Sequence, residues 1–177
     1  MIRFPQAIGL TALLTTLVGG VACSPTFNWR DVRPEGTRLA LMLPCKSEKA
    51  EKTVPLGGRD TALAMLGCET GGATFAIAAA DIGDVAEAAT VLVQWQQLSL
   101  AGIKAGDARL RPLTLPGAAG AVNVVSAEGL GANGTAIRFS AAYFAQGSQV
   151  FQAVVLATGP TPPAEALETF FSSLRFQ

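Results

Sequence analysis

Short apolar runs, each closed by glycine, proline or charged turn residues, dictate what this chain can fold into. In the first half they are "WRDVRP", "TRLALMLPCK", "KTVPL", "ALAMLGCET" and "ATFAIAAADI". The segments "EGT" at 35–37, "SEKAEK" at 47–52, "GGRD" at 57–60 and "TGG" at 70–72 supply the turns. Runs of this length and punctuation read as strands, and their succession predicts an antiparallel meander. Lys46, Lys49 and Lys52, interleaved with Glu48 and Glu51, read as a solvated hairpin turn within it.

The period then changes. Asp84 followed by Glu87 imitates a capping box, and Val85, Ala88, Ala89, Leu92, Trp95 and Ser99 fall on one face at helical spacing, with Gly102 placed to end the helix. Trp95 reads as a core anchor. The acidic trio Asp81, Asp84 and Glu87 reads as helix capping rather than as a metal site, because carboxylates complement a helix N-terminus.

Strands return in "ARLRPLTLPG", "AVNVVSAEG", "TAIRFSAAYFAQ" and "QVFQAVVLAT". In the third, Ile137, Phe139, Ala141 and Tyr143 alternate with Arg138 and Ser140, as a half-buried strand requires. A last helix is expected from Thr161-Pro162 with Leu167, Phe170, Phe171 and Leu174 inward, and "LRF" at 174–176 turning back as an edge strand. Strands, helix, strands, helix specify the α+β class: an antiparallel sheet of about seven to nine short strands with a mid-chain helix and a C-terminal helix packed on it.

The N-terminus is of another kind. Arg3 precedes an apolar stretch, Ile8 to Val21, that stops short of the roughly 20 residues a membrane span needs. It reads as an export leader. Two cleavage readings compete: ordinary signal peptidase acting after Ala22, and lipoprotein processing. Gly20-Val21-Ala22-Cys23 resembles the lipobox of bacterial lipoproteins, with Gly20 where leucine is usual. The resemblance implies that Cys23 is acylated and becomes the first residue. It also implies, through Ser24 in place of aspartate, an outer-membrane position facing the periplasm. The expected layout is a leader over 1–22, a lipidated tether over 23–28 and one α+β domain over 29–177. Two or more acyl chains would hold such a protein stably at a membrane, since each buried methylene contributes about 0.8 kcal/mol.

The chain has three cysteines. With Cys23 given to lipid, Cys45 and Cys68 remain, and an oxidising compartment favours a structural disulfide between them. Closing that loop stabilises by roughly 3 kcal/mol. Two buried free thiols are the alternative; a redox pair is disfavoured because C-x-x-C spacing is lacking.

Charge and composition narrow the function. The 13 basic and 13 acidic residues balance, with no basic stripe, so a nucleic-acid partner is not expected. "GLGANG" at 129–134 matches G-x-G-x-x-G, but strand alternation follows it and Asn133-Gly134 is a hairpin signal, so it reads as a turn. There is no histidine, which excludes Ser-His-Asp and Cys-His catalysis and removes the commonest nitrogen ligand of zinc. Asp60, Glu69, Asp81, Asp107 and Glu128 are the carboxylates whose convergence would be needed for acid–base work; each lies in or near a proposed turn. No cofactor and no metal are expected.

The element order, with the close "ALETFFSSLRFQ", resembles the broad PsbP-like and DcrB-like group of small exported or lipid-anchored α/β domains. The specific part is the C-terminal helix with Phe170, Phe171, Ser173, Leu174 and Phe176. The opening "FNWRDVRPEGTRLALMLPCK" is similar to that of proteobacterial lipoproteins. The resemblance implies a non-catalytic accessory or binding protein and carries over no site residues. Two functions follow as expectations: a membrane-tethered interaction module with an envelope protein partner, or a carrier of a small apolar ligand in a cavity between sheet and helix.

Overall fold

The computed structural model describes residues 26–177. Cys23 and the leader lie outside the described residues. Among the described residues, ten strands and two helices follow one another in the order β1 (Arg30–Val32), β2 (Leu39–Leu43), β3 (Glu48–Leu56), β4 (Arg59–Thr70), β5 (Ala73–Asp81), α1 (Ala88–Gly102), β6 (Arg109–Leu113), β7 (Val122–Leu130), β8 (Ala136–Gln146), β9 (Gln149–Ala157), α2 (Ala164–Ser172) and β10 (Arg175–Phe176).

Two meanders, β3-β4-β5 and β6-β7-β8-β9, join through β5 and β9 into one seven-stranded antiparallel sheet of order β3-β4-β5-β9-β8-β7-β6. The first hairpin does not continue this sheet, as the meander expectation had it. Instead β1 and β2 pair with β10 from the other end of the chain, Arg175 opposite Ala40 and Phe176 opposite Leu39. The fold is therefore α+β, with α1 on one face of the large sheet and the small sheet with α2 on the other.

Covering both faces explains the near-continuous apolar runs in the central strands. Along β5, Phe75, Ile77 and Ala79 point to the side of α2, where Phe75 meets the Phe170 ring edge-on at 5.6 Å. Ala78 and Ala80 point the other way, beneath Val91 and Trp95 of α1. The alanines let the helix sit close to the sheet. In β8 the expected alternation holds, with Ile137, Phe139, Ala141 and Tyr143 all buried under α1.

Trp95 is the anchor of α1, edge-on to Tyr143 at 6.0 Å. Ala88 is buried with it and Leu92 packs against the same core, as expected, but both ends of the helix and two positions of its face differ. It begins at Ala88, because the Asp84 carboxylate accepts the Ala86 amide at 2.8 Å and holds 85–87 in a turn instead of capping a helix. Val85 is consequently 65% exposed, Ala89 faces solvent, and Val91 takes the buried position. At the other end Gly102 stays within the helix. Lys104, at φ 48°, makes the left-handed turn, with its amide bonded to Ala101 O and that of Ala105 to Leu100 O, a Schellman closure built on a lysine.

Residues 47–52 form no hairpin turn. Lys46 precedes β3, and Lys49 and Lys52 lie within it with Glu48 and Glu51. As an edge strand, β3 keeps one row of backbone groups unpaired, and alternating charges make that row a poor template for a further strand. Edge strand β6, "RLRPL", is guarded in the same way by Arg109, Arg111 and Pro112. α2 begins at Ala164, after Pro163, rather than at Thr161-Pro162. Ala166, Phe170, Phe171 and Leu174 are buried while Leu167 is half-buried, and "LRF" does return as the edge strand β10.

Candidate functional site

Cys45, just past β2, and Cys68, in β4, are joined in a disulfide with Cα atoms 5.8 Å apart. Both contribute to the core under α2, so the bridge fastens the small sheet to the large one. A second fastening lies beside it: Ser173, at the end of α2, accepts the Met42 amide at 2.9 Å and donates to Phe170 O at 2.7 Å.

The chain enters the domain at the turn between β4 and β5. The Thr70 hydroxyl donates to Thr26 O at 2.5 Å, the Phe27 ring lies over Gly71, and the Asn28 amide reaches Pro44 O at 2.8 Å. Phe27 also meets Phe75 edge-on at 6.2 Å. Two residues, Ser24 and Pro25, thus separate Cys23 from the first attached one.

An open cleft of about 570 Å³ lies on the α2 side of the large sheet, where β7, β8 and β9 run out from under that helix. Its floor follows from strand register. Arg109, Ser126, Ser140 and Val155 stand opposite one another across β6, β7, β8 and β9, and Glu128, Arg138 and Ala157 form the next row. The two serine hydroxyls bond each other at 2.9 Å. Arg138 lies 3.6 Å from the Glu128 carboxylate and donates to Gly159 O at 3.1 Å. Thr161, Pro162 and Leu167 form the wall. Arg111 reaches Glu168 at 3.3 Å and ties β6 to α2.

Of the five carboxylates singled out from the sequence, Asp107 and Glu128 share this cleft. Asp60 and Asp81 lie at the opposite end of the sheet, and Glu69 is near the β4–β5 turn, where it accepts the Thr74 hydroxyl at 3.2 Å. Asp81 is held below the usual carboxylate range by the Gly83 amide and then by the Ser148 hydroxyl. Among the described residues, no three His, Cys, Asp or Glu side chains form a group that could hold a metal ion. "GLGANG" closes β7 and turns into β8: the Gly131 amide bonds Thr135 O at 2.8 Å and Asn133 Oδ1 accepts the Thr135 amide at 3.1 Å. No helix follows to receive a pyrophosphate.

A second polar group, half-buried, lies between α1 and the sheet. Gln152 Nε2 donates to the Tyr143 hydroxyl at 2.8 Å and to Ser99 Oγ at 3.1 Å, and Ser99 donates to Trp95 O at 2.9 Å. Burial pushes the Tyr143 phenol above its ordinary pKa, opposed by its bonds to Ser99 and Gln152. These groups satisfy one another.

The outward side of α1 is the other surface feature. Its whole length, "AATVLVQWQQLSLAG", carries no charge, and Val93 and Leu98 are 58% and 61% exposed. Neither this side nor the arginine–serine floor was singled out from the sequence. The only signals were the two-residue spacing of Arg138 and Ser140 and the missing charges of 88–102.

No protein-family model matches the chain, and no curated protein matches it. Among solved structures, a Pseudomonas aeruginosa protein of unknown function, PA94, is similar at 13% identity over 78% of this chain and 85% of that one, with a TM-score of 0.36. A likeness that loose carries nothing about function.

Proposed function

We propose that the protein is a non-catalytic, lipid-anchored module of the cell envelope, held by acylated Cys23 at the outer membrane on its periplasmic side, that works by binding an envelope protein through its helical face. The observation that carries this reading is the uncharged outer side of α1. A surface helix ordinarily presents charged residues to water. Here Val93 and Leu98 stand out among Thr90, Gln94 and Gln97. Such a side loses little solvation on contact with a partner and gains apolar burial.

The carrier reading draws on the cleft beside α2. Its lining mixes Val155, Ala157 and Leu167 with Arg138, Ser126 and Ser140, and its open mouth suits an apolar ligand poorly, since such ligands need a mostly apolar enclosure. Under α1 the space is filled by Val91, Trp95 and Tyr143.

Photo-crosslinking from position 93 in intact envelopes tests the binding reading. The expected result is a discrete protein adduct that Leu98→Glu abolishes while the fold is kept. Absence of any adduct, together with a co-purified small molecule, would replace the interaction module with the carrier.

A further inference from the structure

We infer that the end of the large sheet bearing the β4–β5 turn is the surface that rests on the lipid bilayer, with the opposite end held away from it. This rests on the acylation of Cys23 proposed above. Thr26 is bonded to Thr70 and Phe27 lies over Gly71, so the chain leaves the domain at this turn. Three residue steps separate Cys23 from Thr26, a reach of about 11 Å at most. The 12 residues of β4 extend over roughly 40 Å. The acyl chains therefore lie close to one end of the sheet and far from the other.

The two ends differ in what they would bring to a bilayer. Antiparallel register places residues 70–74, 130–135 and 157–164 together at the tether end. None of these three segments, "TGGAT", "LGANGT" and "ATGPTPPA", contains a charged residue, and Leu130 among them is 46% exposed. Charge at this end lies behind those loop tips, on Glu69, Glu128, Arg138 and Glu165 and on Lys104 and Asp107 of the α1–β6 connection. The opposite end carries Arg59, Asp60 and Asp81 at its strand ends and Asp84 and Glu87 in the β5–α1 connection, beside the uncharged turns at 57–58, 114–121 and 147–148. The β1–β2 turn, whose Gly36 carbonyl accepts a bond from Gln149, adds Arg33, Glu35 and Arg38 there. Charged groups resist leaving water, whereas uncharged loops with an exposed leucine settle against headgroups at little cost. Tether position selects this end, and its uncharged loop tips suit contact with headgroups. In this orientation α1, which runs along the strands from Ala88 at the far end to its contact with Leu130 near the bilayer, stands upright with its outer side open to a partner.

Hydrogen exchange of the acylated full chain, in phosphatidylethanolamine–phosphatidylglycerol vesicles and in detergent, tests the orientation. The N-terminal mass is measured first. The expected result is slowed exchange in vesicles at 70–74 and 130–135, with 57–60 and 81–87 unchanged, and loss of that protection at 130–135 in Ala132→Glu, a substitution at an exposed loop position. Acylated protein with no vesicle-dependent protection, or with protection at 57–60 and 81–87, overturns the orientation and leaves the anchor standing. An N-terminus lacking acylated Cys23 overturns both.

Discussion

The carbonyl oxygen of Ile103, one residue beyond α1, occupies the space that a Cβ on Gly129 would need, and it accepts the Leu130 amide at 2.6 Å. With Gly106 N bonded to Glu128 O at 3.0 Å, this contact docks the helix end onto the end of β7. Gly129→Ala should force the two apart and cost about 3 kcal/mol, lowering Tm by roughly 6–12 °C. Gly102→Ala, one residue before Ile103 with open space around its Cβ, should be neutral or stabilising by about 0.5 kcal/mol. Thermal melts of the pair check this; equal melting temperatures would mean that the Ile103–Gly129 approach is not a constraint.

Reduction of Cys45–Cys68, or the double substitution to alanine, should cost roughly 3 kcal/mol, because the bridge closes a 23-residue separation and joins the two sheets. Urea unfolding with and without reductant measures it. The expected outcome is a lower midpoint for the reduced form and no alkylation of either cysteine in native, oxidised protein.

Tyr143 is the chain's one tyrosine, so tyrosinate absorbance follows a single group. Its phenol is held above the ordinary value by burial. The folded state therefore keeps a proton that the unfolded chain releases near pH 10, and folding stability should be flat with respect to this group below about pH 10 and fall above it. Tyr143→Phe should remove that part of the alkaline slope and cost about 1 kcal/mol at neutral pH through its lost bond with Gln152. An ordinary phenol titration in the native protein would contradict the burial.

Replacing Glu48, Lys49, Glu51 and Lys52 together with threonine or valine should leave the fold intact and make the protein associate through β3. The four charges line an exposed edge strand and have no part in the core. Sedimentation velocity at increasing concentration reads the effect: oligomers in the variant, none in the parent under the same conditions.

Helix and strand succession was legible because each central run is apolar and bounded by turn residues, and the inward position of Trp95 followed from helical spacing. Misreadings arose where one sequence pattern serves two structures. Lys49 to Lys52 resemble a turn because an edge strand with exposed side chains needs the same charges. Asp84 and Glu87 resemble a capping box, yet the Asp84 carboxylate satisfies Ala86 two residues on and delays the helix. Pairing of β2 with β10 is set by packing of Phe170 and Phe171 far along the chain, which local spacing does not encode. The cleft was likewise hidden, because Arg109, Ser126, Ser140 and Arg138 come from three strands and meet only through register.

Membrane attachment through Cys23 is the claim on which compartment, orientation and partner all depend, and intact mass of the N-terminal peptide from membrane-extracted protein tests it most directly. The predicted result is a peptide beginning at Cys23 and carrying acyl chains on that residue. A peptide beginning at any other residue, or an unmodified Cys23, would contradict it.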